Sequence, residues 1–256
     1  MTISAVLITK DESTNIEACL QTLNWVDEII IIDSESTDDT VQKARKYTSK
    51  IYSSRFVDFS TQKNLGIEKS SGDWIFLIDA DERVTPELAG EIKTLCTNSA
   101  GDAVYAVKRL TYFFGKRLNF SGTQNDYPIR LIPKGHGSYT QPVHEHILTG
   151  LPVKKLVHPM LHYSTRDMNH YQSKLDHYIP LEVKLMQQQS RKVSVLDLCF
   201  RPPLMFIHLY LVKLGLLDSI HGLQYALLSS FYVFRKYQLY LKPAETHAFS
   251  QQKRGR

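Results

Sequence analysis

Gly72-Asp73-Trp74-Ile75-Phe76-Leu77-Ile78-Asp79-Ala80-Asp81-Glu82 is the stretch on which the fold turns. Trp74 to Ile78 is an unbroken apolar run, short and bounded by polar residues. It reads as a strand buried on both faces, the kind found in parallel sheets. An acidic D-x-D follows at once. A bare D-x-D arises by chance about once in a chain of this length. Directly behind a buried strand it carries more weight, because ligands of an open parallel sheet bind beyond the carboxyl ends of its strands.

The same texture repeats toward the N-terminus. Ser4 to Ile8 is an apolar run followed by Thr9-Lys10-Asp11-Glu12, and Glu28 to Ile32 is followed by Asp33-Ser34-Glu35-Ser36-Thr37-Asp38. Ile51 and Tyr52 make a short third strand. Between these runs lie helical patterns at Asn15–Leu23, Asp38–Tyr47 with Thr37 as N-cap, and Ser60–Lys69. A further helix starts at Thr85-Pro86 and runs to about Leu95, with Thr85 as N-cap and Pro86 in the first helical position. Buried strands alternating with amphipathic helices predict an α/β fold, a mainly parallel sheet with helices on both faces.

After Ala103 the pattern changes. Ala103 to Tyr112 alternates, and Gly, Pro and His accumulate through Pro159, which predicts short strands and functional loops. Helices return with His170 to about Ser190. Arg201-Pro202-Pro203 predicts a break, followed by apolar helices over Leu204–Leu217 and Ser219–Lys242. In the first of these Leu204, Ile207, Leu211 and Leu214 form a stripe. The expected organisation is an α/β domain over residues 1–165, a helical appendage over 166–242 and a basic tail over 243–256. Helices this apolar bury themselves in protein or lie against lipid with their basic residues toward anionic headgroups.

Bulk properties narrow the class. The chain has 256 residues, is 43% hydrophobic and carries a formal charge of +5, an ordinary globular composition with no nucleic-acid signature. Cys19, Cys96 and Cys199 are odd in number and lack C-x-x-C spacing, which fits a reducing cytoplasm. Lys10 and Asp11 cut the first apolar run short, so no signal peptide is expected. His208 and Lys213 interrupt the longest candidate for a membrane-spanning run.

The strand ends carry the chemistry. Carboxylates converge on one edge of the sheet and would repel a phosphate unless a cation lay between them. Hard divalent ions take oxygen ligands and bridge to substrate phosphates, which points to Mg²⁺ or Mn²⁺ carrying a nucleoside diphosphate. No G-x-G-x-x-G follows the first strand, and neither a Walker sequence nor a Gly-x-Ser-x-Gly elbow is present.

These motifs together resemble the family 2 glycosyltransferases of GT-A fold. Ser4 to Glu12, Asp33 to Thr40, Gln62-Lys63-Asn64 and Gly72 to Glu82 carry the likeness, which spans residues 4 to 95. A narrower resemblance, to the lipopolysaccharide inner-core β-glucosyltransferases that modify heptose, rests on later residues. They are Asp126, Arg130-Leu131, Val143-His144-Glu145, His162 and Leu211 to Asp218. The sequence departs from that pattern at Gly122-Thr-Gln-Asn, where a Gly-Gly-Trp is expected.

The resemblance implies an inverting hexose transfer from a UDP-sugar, with glucose as the sugar, onto a heptose of the lipopolysaccharide core or another lipid-linked glycan. A polyprenyl-phosphate sugar transferase and a non-catalytic glycan-binding scaffold are the alternatives. The enzyme would work in the cytoplasm or peripherally on the cytoplasmic face of the inner membrane. By the same resemblance Asp33 contacts the base and Lys63 the base or diphosphate. Asp79 lies near ribose and metal, Asp81 ligates the metal, and Thr9, Lys10, Glu12 and Arg130 join the donor site. His162 reads as a packed structural histidine or, as in some enzymes of this fold, as a late metal ligand. Inversion needs one base for the acceptor hydroxyl. Glu145 is the first choice and Asp126 the second. His144 and His146 would share one face of a strand and leave Glu145 on the other.

Overall fold

The computed structural model describes residues 1–140 and 146–242, which divide into two compact units. The first comprises residues 1–117 and 123–164, the second 118–122 and 165 onward.

The first unit is built on a seven-stranded sheet. Its strands are β1 (Ile3–Thr9), β2 (Glu28–Asp33), β3 (Ile51–Ser53), β4 (Trp74–Leu77), β6 (Val104–Ala106), β9 (Ile129–Pro133) and β12 (Val153–Lys155), in the order β12-β6-β9-β4-β1-β2-β3. β1 pairs in parallel with both β2 and β4, as the buried apolar runs predicted. β9 lies antiparallel between β4 and β6. A second sheet has the order β5-β13-β7-β8, from β5 (Glu82–Val84), β7 (Arg109–Phe113), β8 (Lys116–Arg117) and β13 (Met160–Thr165). β10 (Ser138–Thr140) and β11 (His146–Leu148) form a hairpin pair.

Two apolar clusters follow from the period of the strands. Ala5 and Leu7 of β1 face one cluster with Phe76, Leu88 and Ile92, while Val6 faces the other with Ile30, Ile32 and Ile75. The helices α1 (Ile16–Leu20) and α4 (Pro86–Asn98) contribute to the first cluster and α3 (Phe59–Lys69) to the second. Gly66 lets α3 approach the sheet, since a Cβ there would meet Val6 Cγ1 at 2.3 Å. α4 starts as expected, with Thr85 accepting from Leu88 N and Pro86 in the first turn. α2 (Thr40–Ala44) is shorter than the predicted 38–47. Asp38 is not helical because its carboxylate binds the Thr40 and Ser13 amides (2.9 and 3.0 Å), locking a turn in front of the helix.

The second unit contains α5 (Met168–Gln188), α6 (Val195–Ile207) and α7 (Ser219–Leu241). The expected break at Pro202-Pro203 does not occur, and both prolines lie inside α6. The prolines leave the Leu198 and Cys199 carbonyls without their usual amides, but a Ser194–Asp197 capping box starts the helix and packing on α7, where Ser230 donates to the Pro202 carbonyl at 2.8 Å, holds it. The irregularity comes later, in a π-turn over His208–Val212 and a left-handed Leu214 at φ 58°. Beyond it Asp218 accepts from Asn119 N, Phe120 N and Ser121 Oγ at 2.8 to 3.0 Å. α5 and α7 pack through Leu175, Ile179, Val183 and Tyr232. Within that contact Glu182 receives Tyr232 Oη and Lys236 Nζ, both at 2.7 Å. Gly222 has no room for a side chain, as a Cβ would lie 1.9 Å from the Gly215 carbonyl.

Candidate active site

The site grows from the carboxyl ends of β1, β2 and β4. Asp33 ends β2 and is buried. Its carboxylate accepts from Thr9 Oγ1 (3.1 Å), Ser36 N (2.9 Å) and Ser36 Oγ (2.6 Å), so its position is fixed from three directions. Beside it lies a cleft of about 400 Å³ lined by Asp33, Glu35, Ser36, Val41, Arg45 and Ser53. Lys10 Nζ reaches the Glu35 carbonyl across this edge. The Glu12 carboxylate accepts from Asn15 Nδ2 at 2.7 Å. Thr9 and Asp33 thus meet directly, while Lys10 and Glu12 bond to the surrounding loops.

At the end of β4 the expected residues converge. Lys63 Nζ lies 3.4 Å from Asp79 Oδ1, and Arg130 Nη2 lies 2.6 Å from Asp79 Oδ2. Lys63 also sits over the Tyr139 ring, 4.9 Å from its centroid. Burial alone pushes the Asp79 carboxyl up, but Arg130, Lys63 and Arg109 outweigh it and hold the group far below the ordinary carboxylate range. Arg130, 3% exposed, bridges Asp79 to Glu82, which is fully buried.

Asp81 turns the other way. β13 pairs antiparallel with β5, setting His162 opposite Glu82, and its Nε2 comes to 3.5 Å from Asp81 Oδ2. That exceeds a hydrogen bond. Asp81 offers a hard oxygen and His162 a nitrogen, so these two side chains are the candidate protein donors to a divalent ion here. Among the described residues no three His, Cys, Asp or Glu side chains form a metal-holding group. Asp79, expected as a further ligand, instead faces two cations.

Asp126 follows the short turn Thr123–Asn125. Arg109 grips it with Nε to Oδ2 at 2.8 Å and Nη2 to Oδ1 at 3.0 Å. Arg109 Nη1 also reaches Glu82 Oε1 at 3.4 Å. Arg109 was not expected from the sequence, since a lone arginine in an alternating segment has no distinguishing spacing. Glu145 and His144 lie outside the described residues.

The family model for glycosyl transferase family 2 matches residues 4–149. The chain belongs to glycosyl transferase family 2. The sequence-based expectation of a GT-A α/β fold with a C-terminal helical region therefore holds, and the protein is a glycosyltransferase. This glycosyltransferase is 28% identical to the lipopolysaccharide core biosynthesis glycosyltransferase LpsC of Rhizobium meliloti (strain 1021), over 97% of each chain. It is 29% identical to an uncharacterized glycosyltransferase, RC0292, of Rickettsia conorii (strain ATCC VR-613 / Malish 7), over 75% of this chain and 73% of that one. Among solved structures it is similar to glucosyl-3-phosphoglycerate synthase from Mycobacterium tuberculosis in complex with Mn²⁺, UDP and glucosyl-3-phosphoglycerate. That likeness has 24% identity and a TM-score of 0.37 over 43% of this chain and 44% of that one.

Proposed function

We propose that this glycosyltransferase moves glucose from UDP-glucose, with inversion, onto a heptose of the lipopolysaccharide core. The observation that carries the reading is that three groups stand beyond the ends of β2 and β4: the Asp33 cleft, the Lys63–Asp79–Arg130 cluster and the Asp81–His162 pair. A base beside a carboxylate, a diphosphate between two cations and a sugar held by the remaining acids suit a UDP-sugar. The full-length likeness to LpsC supports a lipopolysaccharide acceptor.

Asp33 would hold the base, with Thr9, Lys10 and Glu12 framing it. Lys63 and Arg130 would meet the diphosphate, and Asp79 the ribose. Asp81 and His162 would hold Mg²⁺ or Mn²⁺, with Asp79 the further candidate, and the ion would stabilise the diphosphate as it leaves. The acceptor hydroxyl oxygen bonds to the anomeric carbon as the carbon–diphosphate bond breaks on the opposite face, and the hydroxyl proton passes to the base. Asp126 is the base we favour. It is tied through Arg109 and Glu82 to the Asp79 turn, and a carboxylate has about four acceptor sites, so the Arg109 fork leaves others for a hydroxyl. Glu145 is the competing carboxylate.

The enzyme would reach its lipid-linked acceptor peripherally, on the cytoplasmic face of the inner membrane. Leu196, Phe200, Leu204, Ile207 and Leu211 of α6 and its π-turn recur at helical spacing, and all are at least 46% exposed. Contrary to the expectation that His208 interrupts any spanning run, the stretch Val195–Val212 has a mean hydropathy of 1.5 and is long and apolar enough to cross a membrane by length and composition, because one histidine among leucines and phenylalanines lowers the average little. Its other face packs on α7 through Leu198 and Met205 beside Val233 and Tyr237, close to the Lys236–Glu182 pair. Lying in the interface, α6 would keep those charges out of hydrocarbon.

A screen of UDP-, GDP- and dTDP-sugars with core-truncated lipopolysaccharide, with and without chelator, tests the reading. UDP-glucose should be used, chelator should stop turnover, and Asp126→Asn should lower kcat by ~10²–10⁴-fold while UDP still binds. Loss of that kind in Glu145→Gln alone would move the base to Glu145. Transfer unaffected by chelator would overturn the metal assignment.

A further inference from the structure

Asp126 stands on a loop, yet it is held as firmly as a residue on a strand. Its main-chain carbonyl accepts from Arg109 N at 3.0 Å, and both carboxylate oxygens accept from the Arg109 guanidinium at 2.8 and 3.0 Å. Arg109 opens β7, so its backbone is fixed by the second sheet. The third guanidinium nitrogen points to Glu82 Oε1. Glu82 is wholly buried, and its Oε2 accepts from Asp79 N at 3.0 Å. Arg130 then joins Glu82 to Asp79, and Lys63 closes the far end.

The result is a ladder of alternating charge, Lys63–Asp79–Arg130–Glu82–Arg109–Asp126. It runs within one unit from the turn that carries the D-x-D to the loop that carries Asp126. A forked guanidinium fixes the plane of a carboxylate as well as its distance, which a single ammonium cannot do. A surface ion pair would need no buried anchor behind it.

We infer that Arg109, braced by the buried Glu82, is the positioning residue that holds Asp126 in register with the donor-binding turn. The inference rests on the reading of Asp126 as the base. Arg109 itself touches neither donor nor acceptor. It acts through Asp126, so its loss lowers the rate of the chemical step and spares donor binding. A misplacement of about 1 Å in such a group costs ~10²-fold in rate.

The experiment uses the full chain, Mn²⁺, UDP-glucose and core-truncated lipopolysaccharide, with UDP binding measured by calorimetry and folding by thermal melt. Arg109→Gln should lower kcat by ~10²-fold with the KM for UDP-glucose within about threefold of wild type. Arg109→Lys should recover part of that rate, and it decides the matter alone if Arg109→Gln does not fold. Because the two residues act as one unit, Arg109→Gln with Asp126→Asn should be no slower than Asp126→Asn by itself. Wild-type kcat in Arg109→Gln beside an inactive Asp126→Asn would overturn the positioning role and leave the base assignment standing. So would a double variant slowed by the product of the two single losses. A fully active Asp126→Asn would instead remove the base reading, and the inference with it.

Discussion

The two units of this glycosyltransferase treat polarity in opposite ways. The first encloses charge: Glu82 has no exposed surface and Arg130 has 3%, yet each sits among partners of opposite sign. The second exposes apolar surface: over Val195–Val212 only 6% of the residues are buried. Charge is unequal as well. Residues 1–164 carry 18 Lys and Arg against 20 Asp and Glu, whereas residues 165–256 carry 13 against 6. Folding stability alone favours neither choice. Burying an ion pair seldom gains over an apolar pair of the same size, and an exposed leucine forgoes the ~1.5–3 kcal/mol that burying it would give. Under the proposed function each arrangement has a use, the first for a charged diphosphate and the second for lipid.

The largest expected effect comes from breaking the ladder. Arg130→Met removes the cation between Asp79 and Glu82 and leaves Glu82 buried beside a single partner. Removing one member of a buried pair costs about 3–5 kcal/mol. Trp25 and Trp74 are the only tryptophans and both lie in the first unit, so urea unfolding followed by their fluorescence reports that unit directly. A loss below about 1 kcal/mol would mean that the charges are solvated and the enclosure is not real.

The opposite result is expected on the apolar face. Phe200→Glu and Leu204→Glu alter residues 60% and 59% exposed, and surface changes of this kind stay within about 0.5 kcal/mol of wild-type stability. Binding to anionic liposomes should fall by ~10- to 100-fold for each, as the ~1.5–3 kcal/mol of apolar transfer is lost. A folded variant that co-sediments like wild type would exclude α6 as the lipid face. Wild-type protein that stays in the supernatant but self-associates through this face in sedimentation velocity would assign it to a second copy of the chain.

The two regions differed in how far they could be read from sequence. The sheet was legible because buried parallel strands leave contiguous apolar runs, and those of β1, β2 and β4 end at the polar loops that carry the candidate site. Asp33, Lys63, Asp79, Asp81 and Arg130 were marked by that position and by resemblance. Arg109 was not, because its importance comes from Asp126 and Glu82, distant in sequence. α6 misled at Pro202-Pro203. A proline pair signals a break locally, but capping by Ser194 and Asp197 and packing on α7 override it. The stripe Leu204–Ile207–Leu211–Leu214 was visible in the sequence. Its outward direction was not, since periodicity defines a face without saying what covers it.

The smallest expected effect concerns charge on the second unit. Lys213 and Arg201 lie within or beside the exposed apolar stretch, and Asp197 is already paired with Arg201 at 2.6 Å. A basic residue near an anionic bilayer contributes about 1 kcal/mol, so Lys213→Gln should weaken liposome binding by about fivefold. The same variant should bind neutral phosphatidylcholine vesicles as wild type does, because only the apolar contribution operates there. Raising salt from ~0.1 to ~1 M shortens the screening length from about 10 to 3 Å and should erase the difference between Lys213→Gln and wild type on anionic vesicles. It should leave the defect of Phe200→Glu in place. If salt abolished all binding, wild type included, the apolar stretch would not enter the interface, and the contact would be one of charge alone.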